Sequence, residues 1–287
     1  MIFTRTLSGI SNFGKFVGAD ILIYTEGKLC SSHDEHIFDE LFYKALISSF
    51  YPDKRIKVKC VGSKVDALEY ASKLGDLVGG SVVIVDRDSE DLLCSHIPKK
   101  SIIYTDGYSW ESDFWTSQLA LEVLEDLACS SKHFAHLYTQ IHFAKKRLAV
   151  LSVLDVCLHL NKEALLQKNG GGCGIGFNFS SLHVLPHKEV HRIFKKYRSS
   201  KASSCSFCTS ILPIAILARS DRIIQGHIWE HVILNLINFG IAGLQKTKVP
   251  HQVVKNLAMS KFKKNPSGYL AQHSLEYYRR ELKLRFG

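Results

Sequence analysis

Chemistry in this chain is concentrated in acids that follow short apolar runs. Asp86-Arg87-Asp88 comes directly after Val82–Val85, four apolar and mostly β-branched residues bounded upstream by Gly79-Gly80. Side chains alternate along an extended chain, so two carboxylates one residue apart share a face. Like charges there repel, and a hard divalent cation such as Mg²⁺, which takes oxygen ligands, would neutralise them. The alternative is a solvated turn in which Asp88 caps a helix, since Asp is common in turns. Glu26 repeats the arrangement, following Ile21–Thr25 and preceding Gly27-Lys28. If the two runs are neighbouring strands, Glu26, Asp86 and Asp88 converge. Three acids without a designated counter-charge point to Mg²⁺ or Mn²⁺, and with a phosphate substrate to phosphoryl transfer or hydrolysis. Glu111 lies just beyond another short run, Ser101–Tyr104. It is either a fourth carboxylate of the group or an ordinary acid at a helix start. Lys28 is either a charge partner of Glu26 or a cation that stabilises negative charge developing on a phosphate.

Bringing those acids together takes a parallel sheet. Ile21–Thr25 and Val82–Val85 read as strands buried on both faces. Arg55–Val61 alternates polar and apolar, as a strand with one wetter face does, and Ser101–Tyr104 is a fourth short strand. Between them, Asp34–Phe50 repeats apolar residues near helical spacing, with Asp34 and Glu35 suited to the amino end and Tyr51-Pro52-Asp53 stopping it. Ser63 caps a helix over about Lys64–Leu74. This order predicts an α/β fold with parallel pairing. In open sheets of that kind, ligands bind outside the carboxyl ends of the strands. From Trp115 onward β-branched runs become rare and the spacing turns helical, over Leu119–Leu127, Phe134–Leu166 and from Gly226 to about Ile237.

Thr25-Glu26-Gly27-Lys28 after one strand and Asp86-Arg87-Asp88 after another resemble the Toprim domain of topoisomerases, primases and OLD-type nucleases, over roughly the first 115 residues. Tyr104-Thr-Asp-Gly-Tyr-Ser-Trp-Glu111 is similar to a segment of the Toprim subfamily found in anti-phage systems, the effector nucleases of PARIS defence, and that closer likeness extends to the end of the chain. The resemblance implies a Toprim-like (Rossmann-like) domain over 18–115 after a lead-in segment, 1–17, and before a mainly helical basic domain, 116–287. It implies Asp86 and Asp88 as metal ligands, Glu26 as ligand or acid/base, and Glu111 completing the shell. It further implies a tRNA endonuclease held inactive by an ABC-type ATPase partner and forming a homodimer once released. Many Toprim proteins carry an Asp a few residues after Glu-Gly; here Leu29–His33 intervenes before Asp34. A DNA nuclease or nickase of the OLD type and a catalytically silent nucleic-acid-binding module are the competing expectations.

Charge is unevenly spread. Residues 1–131 hold 13 Lys and Arg against 20 Asp and Glu, a net −7; residues 132–287 hold 24 against 7, a net +17. The front carries the acids that a metal site needs, and the back carries the cations that a phosphate backbone attracts. The sharpest basic stretch is His187–Arg198, helical in pattern, where Lys188, Arg192, Lys195, Lys196 and Arg198 either grip a backbone or form a solvated face. The tail repeats the theme with Lys261, Lys263, Lys264, Arg279, Arg280, Lys283 and Arg285, interleaved with Phe262, Tyr269, Tyr277 and Tyr278. Aromatics among cations can stack on unpaired bases, or serve the core.

Other groupings are weaker. His187, His191, Cys205 and Cys208 have ligand types suited to zinc, though a single Cys-x-x-Cys in that order also suits two buried thiols. Gly170–Gly176 lacks the Gly-Lys-Ser/Thr ending of a phosphate loop and reads as a surface loop. His227 fits a helix start. The eight scattered cysteines suit a reducing compartment, and Met1-Ile-Phe-Thr-Arg lacks the features of a secretory leader, so the expectation is a cytoplasmic protein without a membrane span.

Overall fold

A computed structural model describes residues 16–27, 38–75, 80–90, 99–129, 134–160, 175–200, 203, 219–245 and 248–287. The chain divides into two compact units. The first joins Met1–Arg87, His96–Phe114 and Met259–Gly287; the second joins Asp88–Ser95 and Trp115–Ala258.

The first unit is an α/β layer. Strands β1 (Ile21–Thr25), β2 (Ile56–Cys60), β3 (Ser81–Val85) and β4 (Ile102–Tyr104) form one parallel sheet in the order β2-β1-β3-β4. β1, β3 and β4 are buried at every residue, which is why they read as unbroken apolar runs, while the edge strand β2 buries only part of its residues. Helix α1 (Phe38–Phe50) lies between β1 and β2, and α2 (Lys64–Leu74) between β2 and β3. Ser63 caps α2 in a capping box with Asp66, which satisfies two amide donors that the first turn leaves over. One sheet face packs Leu22, Tyr24, Val83, Val85, Ile102 and Tyr104 against Ala67, Ala71 and Leu74 of α2. The alternate residues Ile23, Val82, Ile84 and Ile103 are equally buried. α1 packs along β2 and buries Phe42, Tyr43, Leu46 and Ile47.

The second unit is helical: α4 (Ser117–Ala128), α5 (Phe134–Leu160), α6 (His187–Ser199) and α7 (Gly226–Gln245), with a 3-10 turn at Ser220–Arg222. The short helix α3 (Trp110–Phe114) precedes them and belongs to the sheet unit. α7 packs on α4 and α5, with Gly240 so close to Leu124 that an added Cβ would lie 3.0 Å from its Cδ1. Trp229 donates its indole N–H to the Trp115 carbonyl (2.8 Å), and Trp115 donates to Glu230, which also accepts from Lys255 (3.0 Å). α7 runs eight residues beyond the expected end at Ile237, and His227 is exposed in its first turn. Among the described residues no helix is long and apolar enough to cross a membrane. Cys60 and Cys157 are buried thiols and Cys129 is an exposed one.

The tail departs from the expected division at 115. Helix α8 (His251–Lys264) contains the unit boundary, and its last turns, with α9 (Pro266–Tyr269) and α10 (Gln272–Phe286), belong to the sheet unit. Phe262 stacks on Phe42 (5.1 Å, 23°) and sits edge-on to Phe114 (5.3 Å). α10 also covers the open edge of β4. The Ser101 carbonyl and the Thr105 amide bond to β3, so the intervening Ile102 and Tyr104 carbonyls point away from it. Arg285 donates to Ile102 O (2.5 Å) and Tyr277 to Tyr104 O (2.9 Å). Tyr278 is fully buried; it donates to Asp113 Oδ2 (2.6 Å) and accepts from the Asp106 amide (3.3 Å). Phe262 and Tyr278 are therefore core residues and offer no base-stacking surface. The charge division changes with this: residues 259–287 carry seven Lys and Arg against two Glu, so the sheet unit holds 20 cations against 16 acids and the helical unit 17 against 11.

These contacts yield two expectations. Tyr278→Phe removes a donor from the buried Asp113 carboxylate and should cost about 1–3 kcal/mol in urea unfolding. Burial pushes the Tyr277 phenol up from 10.0 to about 12. Stability from this group is complete below pH 10.0, where both states are neutral, and is lost as pH rises toward about 12, because the unfolded chain ionises first. Urea midpoints measured on either side of that window should fall, and Tyr277→Phe should flatten the fall.

Candidate functional site

Because β1 and β3 are parallel neighbours, with Thr25 opposite Ile84, the residues that follow them emerge at one sheet edge. Glu26 and Asp86 are those residues, and the Asp86 amide donates to Glu26 Oε1 (2.6 Å). Gly27 comes next, with φ +148°. Its amide donates to Gly62 O (2.9 Å), as Val61 N does to Thr25 O, tying the ends of β1 and β2 together. A Cβ at Gly27 would lie 2.5 Å from Asp39 Oδ2 and 2.6 Å from Cys60 Sγ, so only glycine fits. Asp39 stands in the first turn of α1, beside Glu40, whose Oε1 accepts from the Cys60 amide (3.0 Å). Trp110 and Glu111 open α3, and Ser109 Oγ donates to Glu111 Oε2 (2.5 Å). Thr25, Glu26, Gly27, Asp39, Gly62, Ser63, Asp86, Trp110 and Glu111 line one cavity of about 530 Å³.

Four carboxylates thus share one wall. The amino ends of α1 and α2 meet the cavity through Asp39 and Ser63, and helix amino termini carry partial positive charge. Lys64, the first residue of α2, donates to the Asp86 carbonyl (2.5 Å), and its ammonium lies 5.8 Å from the Tyr104 ring centre. The field of the acids reaches the core: Tyr43 is held well above its ordinary value of 10.0, first by burial and then by the negative charge of Asp86, Asp113, Asp39 and Glu26. Arg87, between the two expected metal ligands, is buried rather than solvated. Its Nε donates to Thr105 O (2.8 Å), its amide to Thr105 Oγ1 (2.9 Å) and its Nη2 to Tyr277 (3.2 Å).

Of the expected acids, Glu26, Asp86 and Glu111 line the cavity and Asp88 does not. Alternation along a strand would align Asp88 with Asp86, but β3 ends at Val85 and Asp88 adopts a left-handed φ of +52°. Lys28 and Asp34 lie outside the described residues. Asp39 and Lys64 were not anticipated. Asp39 is the second residue of α1 and Lys64 the first of α2, both at the carboxyl end of the sheet, and that position was the available signal. Lys188, Arg192, Lys195, Lys196 and Arg198 are all exposed on α6, with Arg192 paired to Glu189 (2.9 Å). His187 and His191 are exposed on the same helix, whereas Cys205 and Cys208 lie outside the described residues, as does the Gly170–Gly174 part of the glycine loop.

The cavity donors are all oxygens, which suits a hard cation and not zinc, a metal that favours His and Cys. No three of these acids bring ligand atoms within 4.8 Å of one another. Mg²⁺ fits acids spaced in this way, because it keeps several waters and takes only one or two carboxylates together with substrate oxygens. No family model and no curated protein matches the sequence. Gly27→Ala should strain the left-handed backbone and push on Asp39, costing about 1–3 kcal/mol in chemical denaturation.

Proposed function

We propose that the chain is a Mg²⁺- or Mn²⁺-dependent phosphodiesterase that cuts nucleic acid, a Toprim-type endonuclease of the kind that AriB represents in PARIS defence, with tRNA as substrate. The observation that carries this reading is the cavity at the carboxyl edge of a parallel sheet walled by Glu26, Asp39, Asp86 and Glu111. Acids that line one cavity repel one another, and a bound cation offsets that repulsion. A bound divalent cation supplies Lewis acidity toward a phosphoryl oxygen and lowers the pKa of its water. Asp86, Asp39 and Glu111 are the residues that would hold it. Glu26, oriented by the Asp86 amide, holds it or takes the proton of the attacking water. The exposed cations of α6 supply attraction for a phosphate backbone. By the same resemblance, an ABC-type ATPase of the AriA kind restrains the nuclease in the cytoplasm, and release allows a homodimer.

The test incubates the purified chain with total tRNA and, separately, with plasmid DNA, each with Mg²⁺ and with EDTA, beside Glu26→Ala. The expected result is metal-dependent cutting of tRNA, reduced about 10²–10⁴-fold in the variant. Asp39→Asn should raise the Mg²⁺ concentration needed by at least about tenfold. Cutting of DNA alone would replace the substrate assignment with an OLD-like one, and no cutting of either would leave a binding role.

A further inference from the structure

Outside the acid cavity, the helical unit holds an arrangement of rings that its own packing does not require. Phe177 and Phe179 stack face to face, with ring centres 5.6 Å apart and planes at 27°. His231 of α7 closes on both, at 5.9 Å from Phe177 and 6.2 Å from Phe179. All three rings are only half-buried, although two phenylalanines placed in the core would gain from full burial. Burial, together with neighbouring His251, holds His231 below its ordinary value of 6.5, so its ring is neutral at physiological pH.

The segment that presents the rings is fixed. Asn178 N–H donates to Val184 O (2.7 Å), and Ser180 donates through both its amide and its hydroxyl to Asn178 Oδ1. Gln140 of α5 donates to the carbonyls of Phe179 (3.2 Å) and Ser181 (2.9 Å). The rings are therefore held in place before any ligand arrives, which lowers the entropic cost of binding. One cation is tied to the ring segment. Glu189 Oε2 accepts from the Gly176 amide (3.3 Å) and from Arg192 Nη2 (2.9 Å), fastening a guanidinium one residue from Phe177. Residues 175–200 contain five Lys and Arg and a single acid. Lys188, Arg192 and Lys195 recur at i, i+4 and i+7, along one side of α6.

We propose that Phe177, Phe179 and His231 form a stacking platform for the bases of an unpaired nucleic-acid strand whose phosphates run along the Lys188–Arg192–Lys195 side of α6. Every base has a flat face, so stacking tolerates sequence, while a duplex keeps its bases stacked on each other and offers the rings nothing. A basic helix alone would bind paired and unpaired strands through charge alike; the half-buried ring pair is what favours the unpaired one. The proposal deepens the nucleic-acid reading by naming the form of strand that is held, and it does not depend on cleavage.

The test is fluorescence anisotropy with labelled oligonucleotides and the full chain in EDTA, so that no cutting intervenes. Single-stranded RNA, single-stranded DNA and a duplex of the same sequence are compared. The expected result is tighter binding of the single strands than of the duplex. Phe177→Ala and Phe179→Ala should each weaken single-strand binding about tenfold with little change for duplex, Phe177→Trp should retain it, and Phe177→Leu, which keeps apolar volume without a flat face, should lose it. Lys195→Ala should weaken all three probes and reduce the salt dependence. Equal affinity of the unmutated chain for duplex and single strand, or a Phe177→Leu variant with unchanged single-strand binding, overturns the platform. Intact single-strand binding beside absent cleavage would sink the nuclease reading and leave the platform standing.

Discussion

The constraint on which the rest of the sheet unit depends is mutual repulsion among acids gathered at one end of a parallel sheet. Glu26, Asp39, Asp86 and Glu111 line one cavity, and like charges in a partly buried setting repel more strongly than they would in water. The surrounding structure offsets part of this. The Asp86 amide and the Ser109 hydroxyl each donate to a carboxylate. Two helix amino ends meet the cavity, and Lys64 binds the Asp86 carbonyl. These devices fix the acids in place. The negative charge of Asp86, Asp39 and Glu26 is felt as far away as Tyr43.

That wall is only as firm as the strands beneath it, and the outermost strand is the weak member. β4 has three residues and would expose the carbonyls of Ile102 and Tyr104 along an unpaired edge. The chain answers with residues more than 170 positions later, Tyr277 and Arg285, and with the Tyr278–Asp113 bond that anchors the α3 turn carrying Glu111. Arg87 completes the brace from within, joining the end of β3 to the β4 loop and to Tyr277. The cation between the two acids is thus a structural strut. Its burial also explains why the backbone turns after Asp86 instead of running on.

Local signals made most of the sheet legible. The apolar runs, the Ser63 cap and the polar alternation of residues 55–61 each state their own geometry, and β1, β2, β3, β4 and α2 follow them closely. The convergence of Glu26 and Asp86 was legible because it needs only that two buried strands be neighbours. Asp39 was hidden, since its place in the cavity depends on where α1 begins and not on any motif. Asp88 misled because alternation holds only while the chain stays extended. The charge asymmetry along the sequence misled in a different way. A linear count assigns the tail's cations to the basic half, whereas folding returns them to the sheet unit, where they offset its acids. Composition along a chain says nothing about such a return.

The dispersal of the four acids bears on what the site can do on the proposed reading. A closed cage of carboxylates would hold a cation tightly with or without substrate and would leave little charge to attract a further ligand. An open ring of oxygens binds Mg²⁺ weakly by itself, because most of the ion's shell remains water. Phosphate oxygens can then replace that water, so cation and polyanion each raise the affinity for the other, as linkage requires. The cation offsets the repulsion among the acids, and its water positions are the ones the phosphate oxygens take. A cavity built this way favours the ternary state on the proposed reading, and it does so with residues whose positions are already set by the sheet edge, two helix starts and one glycine.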